Sequence, residues 1–110
     1  MIKVPWNIEE AVALLDIYIK NGSKPNVPKK QLEQLSLIYC NRAKILGLNV
    51  DDKFRNLAGL KLQLQCIHYI VTGCGMSHGN KLFDEAYKLY QEEPTRFQAI
   101  LCEFYQKYCV

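Results

Sequence analysis

Lys61, Gln65 and His68 stand at i, i+4 and i+7, the spacing that lines side chains along one face of an α-helix. All three side chains can donate hydrogen bonds. A lysine suits phosphate oxygens, and a glutamine amide or an imidazole suits a base edge in a groove. Just ahead lies Lys53-Phe54-Arg55-Asn56, two cations followed by a residue that caps helices well. Three positions after Asn56 stands Gly59 instead of an acid, which leaves the helix dipole and its first N–H groups available to an anion. Arg42 and Lys44 close the preceding helical pattern. The candidate nucleic-acid-binding set is therefore Arg42, Lys44, Lys53, Arg55, Asn56, Lys61, Gln65 and His68. The same residues have a plainer reading. A Lys-Gln-His strip is often a solvated helix face, and Arg55 equally suits an ion pair with Glu9 or Glu10.

Other chemistry is poorly supplied. Cys66, His68, Cys74 and His78 fall within thirteen residues. However, Cys66 and His68 lie about 200° apart around one helix and cannot share an ion. Cys74 with His78 makes only two ligands, and no Cys-x-x-Cys pair exists, so no metal or other cofactor is expected. The same pair as nucleophile and base lacks an orienting acid. No catalytic residue is assigned, and no enzyme is expected.

The strip must be carried by a helix over residues 53–72. Leu57, Leu60, Leu64, Ile67 and Val71 form one apolar flank, and Leu62, Cys66 and Tyr69 another. Apolar flanks on both sides predict a helix clamped between others at the centre of the fold. Before it, Asn7 and Glu10 form a capping-box pair that opens a first helix at Ile8, with Trp6 as a staple onto Ala11. Asn21-Gly22 ends that helix. Pro28 suits the first turn of a second helix, whose apolar face is Leu32, Leu35, Ile38, Tyr39, Ala43 and Leu46, with Gly47 closing it. After a Gly-rich break at 73–79, Ser77 or Asn80 caps a fourth helix and Pro94 opens a fifth. Both are aromatic-rich, with Phe97, Phe104, Tyr105 and Tyr108 on the expected buried side of the last. No strand-like alternation appears.

At 110 residues the chain is the size of one domain, and 49% hydrophobic with 23% charged residues is ordinary for a globule. No apolar run approaches the roughly 18 residues of a membrane span, and no signal-peptide core follows Met1, so a cytoplasmic protein is expected. The five cysteines are odd in number and widely spaced. Cys40, Cys66 and Cys102 fall in apolar patterns as small buried hydrophobes, and Cys109 is an exposed thiol. Net charge is only +3, but it is uneven. Residues 20–61 hold nine cations against three acids, and the remainder five against eight. Such polarity suits a basic face turned to a polyanion.

Two stretches resemble known families. Trp6…Glu9-Glu10…Leu14-Leu15…Tyr18 is similar to the opening of Myb/SANT-type helix-turn-helix domains. The block from Phe54-Arg55-Asn56 to Cys66-Ile67 resembles one in a helical module that precedes HNH nuclease domains in bacterial restriction-type proteins. In that module the block reads approximately Phe-Arg-Asn-Pro-Asn-Gly-Val. Here Leu57 and Ala58 replace the Pro-Asn, and Cys66 stands where Asn is common. The resemblance covers residues 5–70 and implies a DNA-binding module of bacterial or phage type. The nuclease itself is absent, since two histidines cannot build its His-Asn-His array.

The expectation is an all-α, compact five-helix single domain over 1–110, with a helix-turn-helix-like three-helix part in 1–72 and a helical pair in 80–110. Its partner is nucleic acid, duplex DNA ahead of RNA, met by the 56–72 helix. The alternative is a non-enzymatic adaptor or inhibitor that docks on a nuclease or other nucleic-acid enzyme through its aromatic C-terminal helices.

Overall fold

The computed structural model describes residues 5–51, 53–73 and 81–109. They form α1 (Ile8–Lys20), α2 (Lys29–Ile45), α3 (Leu57–Thr72), α4 (Lys81–Glu92) and α5 (Pro94–Tyr108), with no strand among them. The all-α, single-domain expectation is met. The helix ends follow from local chemistry. Glu9 N–H donates to Asn7 Oδ1 and Asn7 N–H to Glu10 Oε1, each at 3.0 Å, closing the capping box of α1. Asn21 ends the helix, and Gly22 takes φ 79°. Pro28 sits at the N-cap of α2, one position before the first turn it was expected to occupy. At the other end, Leu48 N–H donates to Ala43 O and Gly47 N–H to Lys44 O, with Gly47 at φ 69°. This paired return requires a left-handed residue, and glycine adopts it without a Cβ clash. Asn56 Oδ1 accepts from Gly59 N–H at 2.9 Å to cap α3. The capping expectation for α4 falls on Ser77 and Asn80, outside the described residues.

The centre of the molecule is α1, not α3. α2 packs on α3, α3 on α4, α4 on α5 and α5 back on α2, closing a ring, and α1 touches all four. Ala11-Val12-Ala13-Leu14-Leu15 and Tyr18 are completely buried. Five consecutive apolar residues leave the 11–15 stretch of α1 no solvent face, and a helical stretch apolar all round belongs inside. α3 is instead one member of the ring. Leu60, Leu64 and Ile67 point into the core, and Leu62, on the second expected flank, is 51% exposed. α2 turns Leu32, Leu35, Tyr39 and Ala43 inward. Leu46, expected on that face, reaches past the packed region as the C-cap and is 48% exposed. Only Cys66 among the three cysteines expected inside is buried, and Cys102 is exposed. None of the four described cysteines forms a disulfide. No helix is long and apolar enough to cross a membrane among the described residues.

α3 still depends on its inward flank. Leu64 is fully buried, so Leu64→Ala is expected to cost about 2–5 kcal/mol by lost transfer energy and a residual cavity. Chemical denaturation measures it. A loss under about 1 kcal/mol would mean that α3 is not firmly seated in the ring.

Candidate nucleic-acid interface

The structure divides the eight sequence-selected residues into two groups. Arg42, Arg55 and His68 are engaged by other helices, and Asn56, though exposed, spends its side-chain oxygen on the cap of α3. Lys44, Lys53, Lys61 and Gln65 are exposed.

Arg55 lies two residues before α3 with φ 48°, a left-handed conformation that costs a non-glycine residue about 1–2 kcal/mol. Its side chain explains why the conformation is kept. Arg55 Nε donates to Glu10 Oε2 at 2.9 Å, and Nη2 donates to Glu10 Oε1 and to Pro5 O, both at 3.1 Å. The guanidinium centre lies 4.3 Å from the Trp6 ring centroid and 4.5 Å from that of Phe54. Planarity lets one guanidinium chelate a carboxylate and stack on rings together, which a lysine could not do. Ser36 on α2 adds a hydrogen bond from its hydroxyl to Arg55 O at 2.8 Å.

Arg42 enters the same cluster from α2. Its Nε donates to Glu9 Oε1 at 2.6 Å, its Nη1 lies 3.7 Å from Glu10 Oε1, and its guanidinium lies over Tyr108. Burial opposes its charge, but the hydrogen bond to Glu9 and the field of Glu10 more than offset it, raising its pKa above the ordinary value. Tyr39 completes the cluster by donating its hydroxyl to Glu10 O at 2.6 Å. Burial, with Glu10 nearby, holds that phenol well above its usual pKa and therefore protonated. Two carboxylates thus face two guanidiniums in a cluster of no net charge. The side chains of Arg42 and Arg55 are 9% and 8% exposed, so the phosphate-contact role expected of them does not match their placement. The ion pair of Arg55 with Glu10, the plainer reading, is the one present.

Asn56 spends its side-chain oxygen on the α3 cap, and Gly59 suits that cap because a Cβ there would meet Asn56 Oδ1 at 3.2 Å. His68 faces α1, with Nδ1 2.8 Å from the Tyr18 hydroxyl. The expected strip of three therefore shortens to Lys61 and Gln65, followed by Thr72, all exposed on one side of α3. Lys53 precedes the helix, and Lys44 stands near the end of α2.

Charge follows the same division. Arg42 and Arg55 pair with Glu9 and Glu10, and Lys20 pairs with Asp16 at 2.9 Å. Three of the nine cations in residues 20–61 are so neutralised by the three acids of α1. Six lysines remain against Glu33, Asp51 and Asp52, a balance of +3, and the rest of the chain becomes neutral. The basic segment, residues 20–61, is weaker than its linear count implied, yet it carries the whole net charge.

The sequence signal for this cluster was present but divided. Trp6, Glu9 and Glu10 lie in one of the two family-like stretches and Phe54, Arg55 and Asn56 in the other. The fold joins them. Among the described residues no group of three His, Cys, Asp or Glu side chains is placed to hold a metal ion, and Cys74 and His78 lie outside those residues. Cys66 is buried on α3, and burial pushes its thiol pKa up, away from reactivity. Comparison with protein families, with curated proteins and with solved structures finds no match to this chain.

Proposed function

We propose that the protein is a small, non-enzymatic DNA-binding module. Lys44, Lys53 and Lys61 meet phosphates, and Gln65 meets a base edge or the groove floor. The observation that carries this reading is the exposed Lys61–Gln65 side of α3, whose entrance is fixed by the buried Glu10–Arg55–Arg42 cluster. Recognition needs side chains held in a constant register on the duplex, and a buried bidentate anchor at the start of the reading helix supplies one. Resemblance to Myb/SANT-type and nuclease-associated helical modules agrees with this role. Trp6, Glu9, Glu10, Phe54 and Arg55 of the cluster are among the residues that carry the resemblance, and Arg42 and Tyr39 of α2 join them. A cytoplasmic setting is part of the same proposal.

Docking through the aromatic C-terminal helices has less to stand on. Phe83, Phe97, Phe104 and Tyr108 are core residues, and Tyr90 is the one aromatic of that pair with more than a third of its surface exposed.

A selection from randomised duplexes tests the assignment of Gln65. Wild-type protein is expected to enrich a short preferred sequence at low salt, and Gln65→Ala to flatten that preference, because an amide reading an adenine edge contributes about 1–3 kcal/mol of discrimination. An unchanged preference would remove Gln65 from the interface. Failure of the wild-type protein to retain any duplex or single strand at low salt would end the DNA reading itself.

A further inference from the structure

A groove of about 480 Å³ runs between α1, α2 and α5. Ile17, Leu35, Ile38 and Tyr105 line it, and Leu37 adds the most exposed large hydrophobic side chain among the described residues, at 63%. Two hydrogen bonds fix its walls. Asn21 Nδ2 donates to Gln31 Oε1 at 2.8 Å, tying the end of α1 to α2, and Asn41 Nδ2 donates to Tyr108 O at 3.3 Å, tying α2 to α5. A preformed groove lowers the ordering cost of binding.

The groove's own lining carries one closed ion pair, and the exposed stripe of α2 beside it is basic. Asp16 is the groove's single carboxylate, its side chain is 8% exposed, and Lys20 closes it. Along α2, Lys30, Gln34, Leu37, Asn41 and Lys44 recur at i, i+4, i+7, i+11 and i+14, which is one stripe of a helix. A lysine ends the stripe on each side, and Leu37 is its midpoint. Fourteen residues of helix separate the two ammonium-bearing positions by about 21 Å. Glu33 lies beside the stripe, but Lys29, Lys30 and Lys44 outnumber it.

The geometry points to a docking groove for an acidic amphipathic helix of a partner protein. Apolar side chains from one face of that helix enter beside Leu37, and carboxylates toward its two ends meet Lys30 and Lys44. A nucleic acid would answer the lysines but would leave the apolar centre uncovered, so the combination favours a peptide. The inference is independent of the DNA reading. Lys44, which like Lys30 lies on the α2 stripe beside the groove and not in its lining, enters both, whereas Lys30 and Leu37 enter the docking inference alone.

Phage-displayed random peptides of about 15 residues, long enough as a helix to span the two lysines, provide the probe. They are selected on the wild-type protein and counter-selected on Leu37→Glu. The retained peptides are expected to be net acidic, with apolar residues at i, i+3 or i+4, and i+7. The strongest of them, made as a labelled synthetic peptide, should bind Leu37→Glu at least ~10-fold more weakly, as for a central interface anchor. Lys30→Glu should weaken it ~3-fold at low salt, and less at high salt. Both sites are exposed, and thermal melts of the two variants should match wild type. Should Leu37→Glu fail to fold, Lys30→Glu still decides the charge requirement. The proposal is overturned if no peptide prefers the wild-type protein, or if the preferred peptides are neutral or basic. It is overturned equally if Leu37→Glu weakens binding of a random-sequence duplex as much as that of the peptide, which would place nucleic acid on this face.

Discussion

Glu10→Ala is expected to destabilise the protein by about 3–5 kcal/mol, the cost of breaking a buried ion pair from one side. The Glu10 side chain is fully buried and receives Arg55 through two hydrogen bonds, the Asn7 N–H through one, and Arg42 at 3.7 Å. Removing it leaves two guanidiniums almost out of solvent with only Glu9 between them, and it opens the capping box of α1 as well. Glu9→Ala should cost clearly less, since the Glu9 side chain is 18% exposed and, among the described residues, bonds Arg42 alone. Denaturant titration of the two variants gives the comparison. Equal losses, or a loss under about 1 kcal/mol at Glu10, would mean that the cluster does not hold α1 to α2 and α3.

Phe104→Ala is the second large effect, again about 3–5 kcal/mol. Phe104 is fully buried where α5 closes the ring, with ring centroids at 5.8 Å from Tyr39 and 5.5 Å from both Tyr105 and Tyr108. Truncation loses the transfer energy of the ring, leaves a cavity and ends three edge-on contacts. Tyr90→Ala provides the contrast, because Tyr90 is 38% exposed. Its loss should stay below that of Phe104, and similar losses in both would contradict the packing described. Tyr39 touches Phe104 with its ring and Glu10 O with its hydroxyl. The Glu10 and Phe104 effects share a neighbour and are not expected to add.

What could be read from the sequence was the local part. The Asn7–Glu10 box, the Gly47 return and the Asn56 cap each depend on residues within five positions of one another, and each is present. The buried face of α5 followed from spacing alone. The centre was misplaced because two apolar flanks on α3 looked more enclosed than they are. The continuous Ala11–Leu15 run was the stronger mark of a helix without a solvent face. The ion pairs of Arg42 and Arg55 were not legible for a different reason. Their carboxylate partners lie 33 and 45 residues away along the chain, and only the packing of α2 and of the α3 entrance against α1 brings them together. A cation near a helix start looks the same in sequence whether it is bound for a phosphate or for a buried glutamate. The bond of His68 was hidden in the same way, its partner Tyr18 being 50 residues distant.

Central to this account is the statement that the exposed lysines meet phosphates while the arginines position α3, and salt dependence tests it most directly. Affinity for one duplex is measured across a series of salt concentrations for wild type, for the double variant Lys53→Ala/Lys61→Ala, and for Arg55→Lys. Each phosphate contact contributes about 0.9 to the magnitude of the slope of log K against log salt, so the double variant should lose about 1.8. Arg55→Lys should keep the wild-type slope while losing stability, because its charge sits on Glu10. A double variant with an unchanged slope, or a wild-type protein that binds no duplex even at the lowest salt, would contradict the account.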